Sequence, residues 1–372
     1  MSATLHGSSA RMLASVVVNN HNYGRFLRFA IDSALAQTHP EVEVIVVDDG
    51  STDDSREVIA SYGDRIAPIY KRNGGQASAI NLGVESAHGE VLFFLDADDA
   101  LKPDIVERVV RAFEADQRVV WVMFRLEIIN ADGRPTGVLR PQAHIPRRDG
   151  DLRRSIIEFP FDIVRTATSG NAFSARVIRT ILPIPEAVYF SGADWYLSPL
   201  AGLFGRCVFL DSVGGSYRVH GSNDNWFEGG SMMVDGSGIR REIRWMEVSA
   251  AAIEKFAAAE GVGQGKRVLS LAFIAARLVS LKLFPAGHPM VDDTSLGLVV
   301  LGIRAAMRRF DVRWPLKILF ISWFVAMALA PQPLARGLAQ VWYFPGRRGP
   351  LNSALSVLHV PSRTWARSAA RT

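Results

Sequence analysis

The stretch Val91-Leu92-Phe93-Phe94-Leu95-Asp96-Ala97-Asp98-Asp99 runs from an apolar segment suited to a buried strand straight into three carboxylates. Strand alternation carried through it sends Asp96 and Asp98 to one side and Ala97 to the other. Two carboxylates so placed suit a hard divalent cation, Mg²⁺ or Mn²⁺, on a diphosphate. Acidic pairs also cap helices, and Pro103 opens a predicted helix a few residues on, so this stretch needs support from its surroundings.

That support lies upstream, in three more units of strand, polar turn and helix. Ser15-Val16-Val17-Val18 ends in Asn19-Asn20-His21-Asn22, and Phe26, Leu27, Ala30, Ile31, Ala34 and Leu35 then recur at helical spacing. Val42 to Val47 ends in Asp48-Asp49-Gly50-Ser51-Thr52-Asp53, with Ser51, Thr52 and Asp53 all credible caps for a helix through Val58 and Ile59. Ile66 to Tyr70 runs into Lys71-Arg72-Asn73-Gly74-Gly75, whose glycines let backbone approach an anion at a helix start. The pattern predicts a doubly wound α/β sheet whose ligand site collects at the carboxyl ends of the strands.

With these motifs in order, joined by Gln37-Thr38-His39-Pro40, Gln76, Asn81-Leu82-Gly83 and Gly192-Ala193-Asp194-Trp195, the first two hundred or so residues resemble glycosyltransferase family 2. The resemblance implies a GT-A fold, a Rossmann-like mixed sheet, and an inverting transfer from a nucleotide sugar. It implies that Asn19, His21 and Asp49 surround the base and ribose, and His21 stands where the family usually has a stacking tyrosine. Lys71 and Asn73 fall where the family meets the nucleotide, with Gly74 and Gly75 shaping the loop, and Asp48 either touches ligand or supports the next helix. Asp98 becomes the leading ligand for Mg²⁺ or Mn²⁺, and Asp96 binds the ribose or a metal-bound water.

For the base that deprotonates the acceptor, the resemblance points to Asp194. The family's Glu-Asp pair reads Ala193-Asp194 here, leaving Asp194 alone, and its simpler reading is as a cap for a helix from Trp195 to Leu203. Thr168-Ser169-Gly170-Asn171 resembles the acceptor-side segment, making Ser169 and Asn171 the acceptor residues. Tyr217 to Asn223 resembles a late motif in which His220 reaches the metal. Arg241-Glu242-Ile243-Arg244-Trp245 matches only the end of the Gln-x-x-Arg-Trp motif of processive polymer synthases, which favours addition of single sugars and a packing role for Arg244 and Trp245.

Charge divides the 372 residues near residue 250. The first 250 hold 26 basic and 32 acidic residues and the remainder 16 and 5. The predicted domains are 1–250, catalytic, and 251–372, a basic and mostly helical region read as a separate electrostatic unit associating with a membrane. No nucleic-acid motif accompanies the charge, so the predicted partners are a UDP- or GDP-sugar, a saccharide or lipid-linked acceptor, and anionic lipid. Lys266 to Phe284 reads either as an interfacial helix or as a buried one, and Ile318 to Ala330 either as a shallow insertion, a buried helix or, extended to Ala335, a span. Pro141 to Arg154 reads as a loop able to close over a donor, and the tail from Asn352 as loosely ordered or lipid-facing. Cys207 stands alone and no signal peptide is apparent, which predicts a cytoplasmic enzyme, peripheral on the inner face of the membrane. Two rivals remain at this point: a non-catalytic nucleotide-sugar binder and a sugar nucleotidyltransferase.

Overall fold

The computed structural model describes residues 11–142, 148–221, 234–262 and 268–343. Four strand–helix units open it. They are β1 (Ala14–Asn20) and α1 (Gly24–Leu35), β2 (Val42–Asp49) and α2 (Ser55–Ala60), β3 (Ala67–Lys71) and α3 (Gln76–Ser86), then β4 (Val91–Asp96), the short β5 (Ala100–Leu101) and α4 (Ile105–Ala115). β6 (Val119–Ile129) and β7 (Pro135–Arg140) form an antiparallel hairpin around a turn at Asp132-Gly133. There follow β8 (Gly150–Asp151), α5 (Arg153–Glu158), β9 (Asn171–Ser174), α6 (Ala175–Ile181), α7 (Asp194–Ala201) and β10 (Arg206–Arg218).

The sheet order is β3-β2-β1-β4-β9-β6-β10-β5, with β7 added beside β6 and β8 beside β10. β3, β2, β1 and β4 are parallel and β9 is antiparallel to both its neighbours, so the sheet is mixed. Its strands read as unbroken apolar runs because both faces are covered. Val16, Val18, Val46 and Phe93 join the core under α1, α2 and α4, whereas Val17, Ile45, Val47 and Phe94 join the core under α3, α6 and α7. Each such fully buried side chain contributes about 1.5–3 kcal/mol relative to exposure. Chain connections leave β1 toward β2 on one side while β4 lies on the other, and a crevice opens at the carboxyl ends where the order reverses.

The C-terminal helices are α8 (Gly236–Ala259), α9 (Leu271–Leu283), α10 (Ser295–Arg308), α11 (Trp314–Leu329) and α12 (Gln332–Tyr343). They enclose a third core, into which Phe161 and Trp195 of the first part also pack. Two expectations change here. Residue 250 lies inside α8, so the shift in composition is not a structural boundary. Nor is the basic part electrically separate. Asp162 accepts the first N–H groups of α9, from Leu271 and Ala272, and also pairs with Arg309 at 3.1 Å, while Asp311 binds Arg309 at 2.5 Å and Arg148 at 2.5 Å.

Of the two readings of Lys266 to Phe284, burial holds for the described part. α9 is enclosed nearly all round, and Arg277 pairs with Asp293 and Lys282 donates to the Ala328 carbonyl instead of facing lipid. Residues 263–267, including Lys266 and Arg267, lie outside the described residues, as do 143–147 of the Pro141–Arg154 loop, Ser222 and Asn223, and the tail from Asn352. α11 ends before Pro331, and no helix among the described residues is long and apolar enough to cross a membrane.

Candidate active site

The carboxyl ends of β1, β2 and β4 open into a cleft of about 570 Å³ that Asn19, His21, Asp49, Asn73, Gly75, Asp96, Asp98 and Asp194 all line. Register explains the convergence: Asn19 stands opposite Asp96 and Asn20 opposite Asp48. Side chains then staple the turns together. Asn20 donates to Asp48 and to Ser51, Ser51 accepts the Asn22 N–H, and Asp53 accepts the N–H groups of Gly24 and Ser55. The predicted cap residues therefore bind two turns to each other. Asp48 is fully buried, held also by Arg56, and takes the structural one of its two readings.

On the nucleotide side, His21 Nδ1 donates to the Asp49 carbonyl at 2.8 Å and Nε2 accepts from Asn73 at 2.9 Å. The Asp49 carboxylate receives Lys71 at 2.5 Å, Gly74 N–H at 2.9 Å and Gly75 N–H at 2.7 Å. Gly75 has φ +85°, and a Cβ there would meet Phe190 at 2.6 Å. Two expectations are revised by this loop. Lys71 is turned under it onto Asp49 and is not among the cleft-lining residues. Its glycine N–H groups, and those of Gln76 and Ala77, which donate to Phe190 and Tyr189 carbonyls, are already bonded, so these four donors at the start of α3 are not turned to an anion.

β4 stops at Asp96, and Ala97-Asp98 form a turn, so alternation does not extend to Asp98. Both carboxylates nonetheless reach the cleft. Asp96 accepts from Asn19 at 2.9 Å and Gln76 at 2.8 Å, and burial together with the charge of Asp98 pushes its pKa up to about 7. Burial and the same neighbour push Asp99 well up. Asp99 accepts the Arg218 N–H at 2.9 Å, and the Arg218 guanidinium donates to the Asp98 carbonyl at 2.9 Å. Asp98 Oδ2 lies 3.1 Å from His220 Nε2, which is held between Tyr23 and Phe26. These residues fit a divalent cation. Asp98 and His220 stand side by side at 3.1 Å with Asp96 lining the same cleft, a carboxylate and imidazole set of the kind a divalent cation takes, although among the described residues no group of three or more such side chains converges.

Asp194 is the first residue of α7, after Ala193 at the cap position, so its carboxylate sits in the first turn of that helix and also lines the cleft. Burial pushes its pKa up, while the charges of Arg165 and Arg140 oppose the rise. Arg165 lies 3.6 Å over the Trp195 ring, and Arg140 lies 4.8 Å over Tyr217. Gln76 ties the two sides of the cleft, donating to Asp96 and accepting the Ala193 N–H at 3.0 Å.

The acceptor assignment needs correction. Ser169 and Asn171 are each 1% exposed and line no part of the cleft. Ser169 accepts the Asp96 N–H at 3.1 Å and Asn171 joins Trp121 to the Ala167 carbonyl, so both support the acidic turn from inside, and their neighbour Thr168 faces the cleft. Arg244 pairs with Glu247 on the surface, but Trp245 lines the cleft beneath Gly192, where a Cβ would touch it at 2.7 Å. Gln76, Arg140, Arg165 and Arg218 were given no role by the sequence. Only Gln76 and Arg218 carried a signal, as members of motifs already singled out.

A family model described as Glycosyl transferase family 2 matches residues 15–172, ending before Asp194. An uncharacterised glycosyltransferase of Nostoc sp. is 38% identical over 218 residues, 58% of this chain and 67% of that protein. An uncharacterised glycosyltransferase of Rickettsia prowazekii is 34% identical over 141 residues, 38% of this chain, which spans only 44% of that relative. The crystal structure of S. aureus TarS 1–349 in complex with UDP-GlcNAc superposes with a TM-score of 0.51 at 16% identity, covering 89% of each chain, a likeness of fold.

Proposed function

The chain belongs to glycosyltransferase family 2, and we propose that it moves a single sugar, with inversion, from a nucleoside-diphosphate sugar to a hydroxyl of a lipid-linked or cell-surface polysaccharide precursor. One observation carries this reading: Asp98 and Asp194, from opposite parts of the sequence, line one cleft and are tied through Asp96, Gln76 and Ala193. The complex of TarS with UDP-GlcNAc supports a UDP-sugar as the first donor to try, with GDP-sugars second.

In this mechanism Asn19, His21 and Asn73 bind the nucleoside, and Arg218, Ser169 and Asn19 keep the acidic turn in place. Asp98, with His220 beside it, would hold Mg²⁺ or Mn²⁺, which would neutralise charge on the departing diphosphate. Asp194 takes the acceptor's hydroxyl proton as that oxygen bonds to the anomeric carbon and the bond from carbon to the diphosphate oxygen breaks. Burial makes Asp194 a stronger base than a solvated carboxylate, and the charges of Arg165 and Arg140 oppose the rise in its pKa. Trp195 and Trp245 exclude water from that side.

A panel of UDP- and GDP-sugars with Mn²⁺ or Mg²⁺, read by release of nucleoside diphosphate, tests the proposal. Asp194→Asn should lower transfer about 10²–10⁴-fold with donor binding retained. Near-wild-type transfer by that variant refutes the base. Pyrophosphate release instead identifies a nucleotidyltransferase, and donor binding without turnover identifies a binding protein.

A further inference from the structure

α11 is uncharged apart from Lys317, yet one of its faces is uncovered. Trp314, Ile318, Val325 and Leu329, spaced along one side, are 60, 58, 38 and 80% exposed, and Leu319 stands beside them. α10 packs against α11 where Gly302 meets Phe324, and adds exposed Leu296, Val300 and Met307. Isolated exposed apolar residues are ordinary, but a row of this length on two adjacent helices marks an interaction surface.

The charge around it selects the partner. Between residues 295 and 343, Arg304, Arg308, Arg313, Lys317 and Arg336 reach the surface, whereas the only acid, Asp311, is fully buried against Arg309 and Arg148. A second copy of the chain would bring the same five cations together across a two-fold interface. A negatively charged bilayer complements them. We propose that the uncovered faces of α10 and α11 dock on an anionic lipid surface, with the helices lying in the headgroup layer. The sixteen residues of α11 reach only about 24 Å, short of the ~30 Å hydrocarbon core, which favours lying over spanning. This surface is independent of the transfer chemistry and would serve any ligand of the cleft.

The test is flotation of the full chain with phosphatidylcholine vesicles containing or lacking phosphatidylglycerol, at low and high salt. Wild type is expected to float with the anionic vesicles and to be released by salt. Ile318→Asp/Val325→Asp should remain in the aqueous fraction while keeping wild-type circular dichroism and donor hydrolysis. Arg304→Gln/Arg308→Gln should bind anionic vesicles roughly thirtyfold more weakly, from about fivefold per cation near such a surface. Wild type failing to float at low salt overturns the proposal, as does flotation of the aspartate variant equal to wild type. A wild-type dimer that the aspartates split, with flotation unchanged, overturns it in favour of a second copy.

Discussion

Replacing Asp311 by asparagine tests whether the C-terminal helices and the catalytic sheet are one folding unit. Asp311 is fully buried and receives Arg309 through Nε at 2.5 Å and Nη2 at 2.6 Å, and Arg148 through Nη2 at 2.5 Å. Burial works to raise its pKa, but the bonds and charges of Arg309 and Arg148 prevail and bring it down to about 2. A depression of that size corresponds to about 2 kcal/mol of stability, present in full above the unfolded pKa near 4 and lost as pH falls through about 2. Asparagine removes this contribution and also leaves two enclosed guanidinium groups facing a neutral amide, so the full loss at pH 7 is about 3–5 kcal/mol.

Urea unfolding followed by circular dichroism and by tryptophan fluorescence measures it. Tryptophans lie in both parts, Trp121 in the sheet and Trp323 among the C-terminal helices, so circular dichroism and fluorescence should show one coincident transition. The difference between wild type and variant should narrow as pH falls from about 4 toward 2, because wild-type Asp311 then becomes protonated too. In an Arg309→Met background the same change should cost less, by a coupling of about 0.5–3 kcal/mol. A loss at pH 7 below about 1 kcal/mol, or a shift confined to a separate C-terminal transition, would refute the joined-unit reasoning.

Arg165→Met removes the cation that opposes the upward push of burial on Asp194, so the acid limb of the pH–rate profile should move to higher pH. Arg165→Lys should restore part of the shift, and an unmoved limb would leave Arg165 a packing residue. Glu242 is buried, and burial, only partly offset by the charge of Arg165, raises its pKa to about 7. Its contribution is complete below the unfolded pKa near 4.5 and is lost as pH rises through about 7, so Glu242→Gln should equal wild type at pH 4.5 and exceed it by about 3 kcal/mol at pH 8.5. Parallel stability curves for the two proteins would contradict this.

What the sequence made legible was local. Val16 to Val18, Val44 to Val47 and Val91 to Leu95 announce strands covered on both faces, and the polar turns behind them mark the cleft because a parallel sheet gathers strand ends at one edge. Asp98 reaches the cleft by a route other than the one the pattern suggested, since a turn and not alternation delivers it. Ser169 and Asn171 misled because hydroxyl and amide side chains serve equally for sugar hydroxyls and for the interior bonds they in fact make. α9 and α11 could not be told apart by apolar content. Which of them is enclosed depends on the helices around it, and enclosure fell to α9. Arg140 and Arg165 were illegible for a similar reason: one ends a hairpin and the other precedes β9, and only the folded chain brings both near Asp194.

That pairing of arginines bears on a conflict that the proposed base, Asp194, would face. A carboxylate in water is ionised at neutral pH but a weak base. Burial strengthens it and at the same time drives it toward the protonated form, in which it accepts nothing. At Asp194 the two opposing influences come from different parts of the chain: enclosure from the Gly192–Trp195 turn and Trp245, and positive charge from Arg165 and Arg140. Arg165 is itself enclosed, flat against Trp195, and its charge is shared with Glu242 and Asp162. Asp162 in turn caps α9 and pairs with Arg309. The electrostatic setting of Asp194 thus extends through Arg165 into the buried ionic join with the C-terminal helices, and a chain cut at residue 250 would lose part of that setting together with the helices that follow.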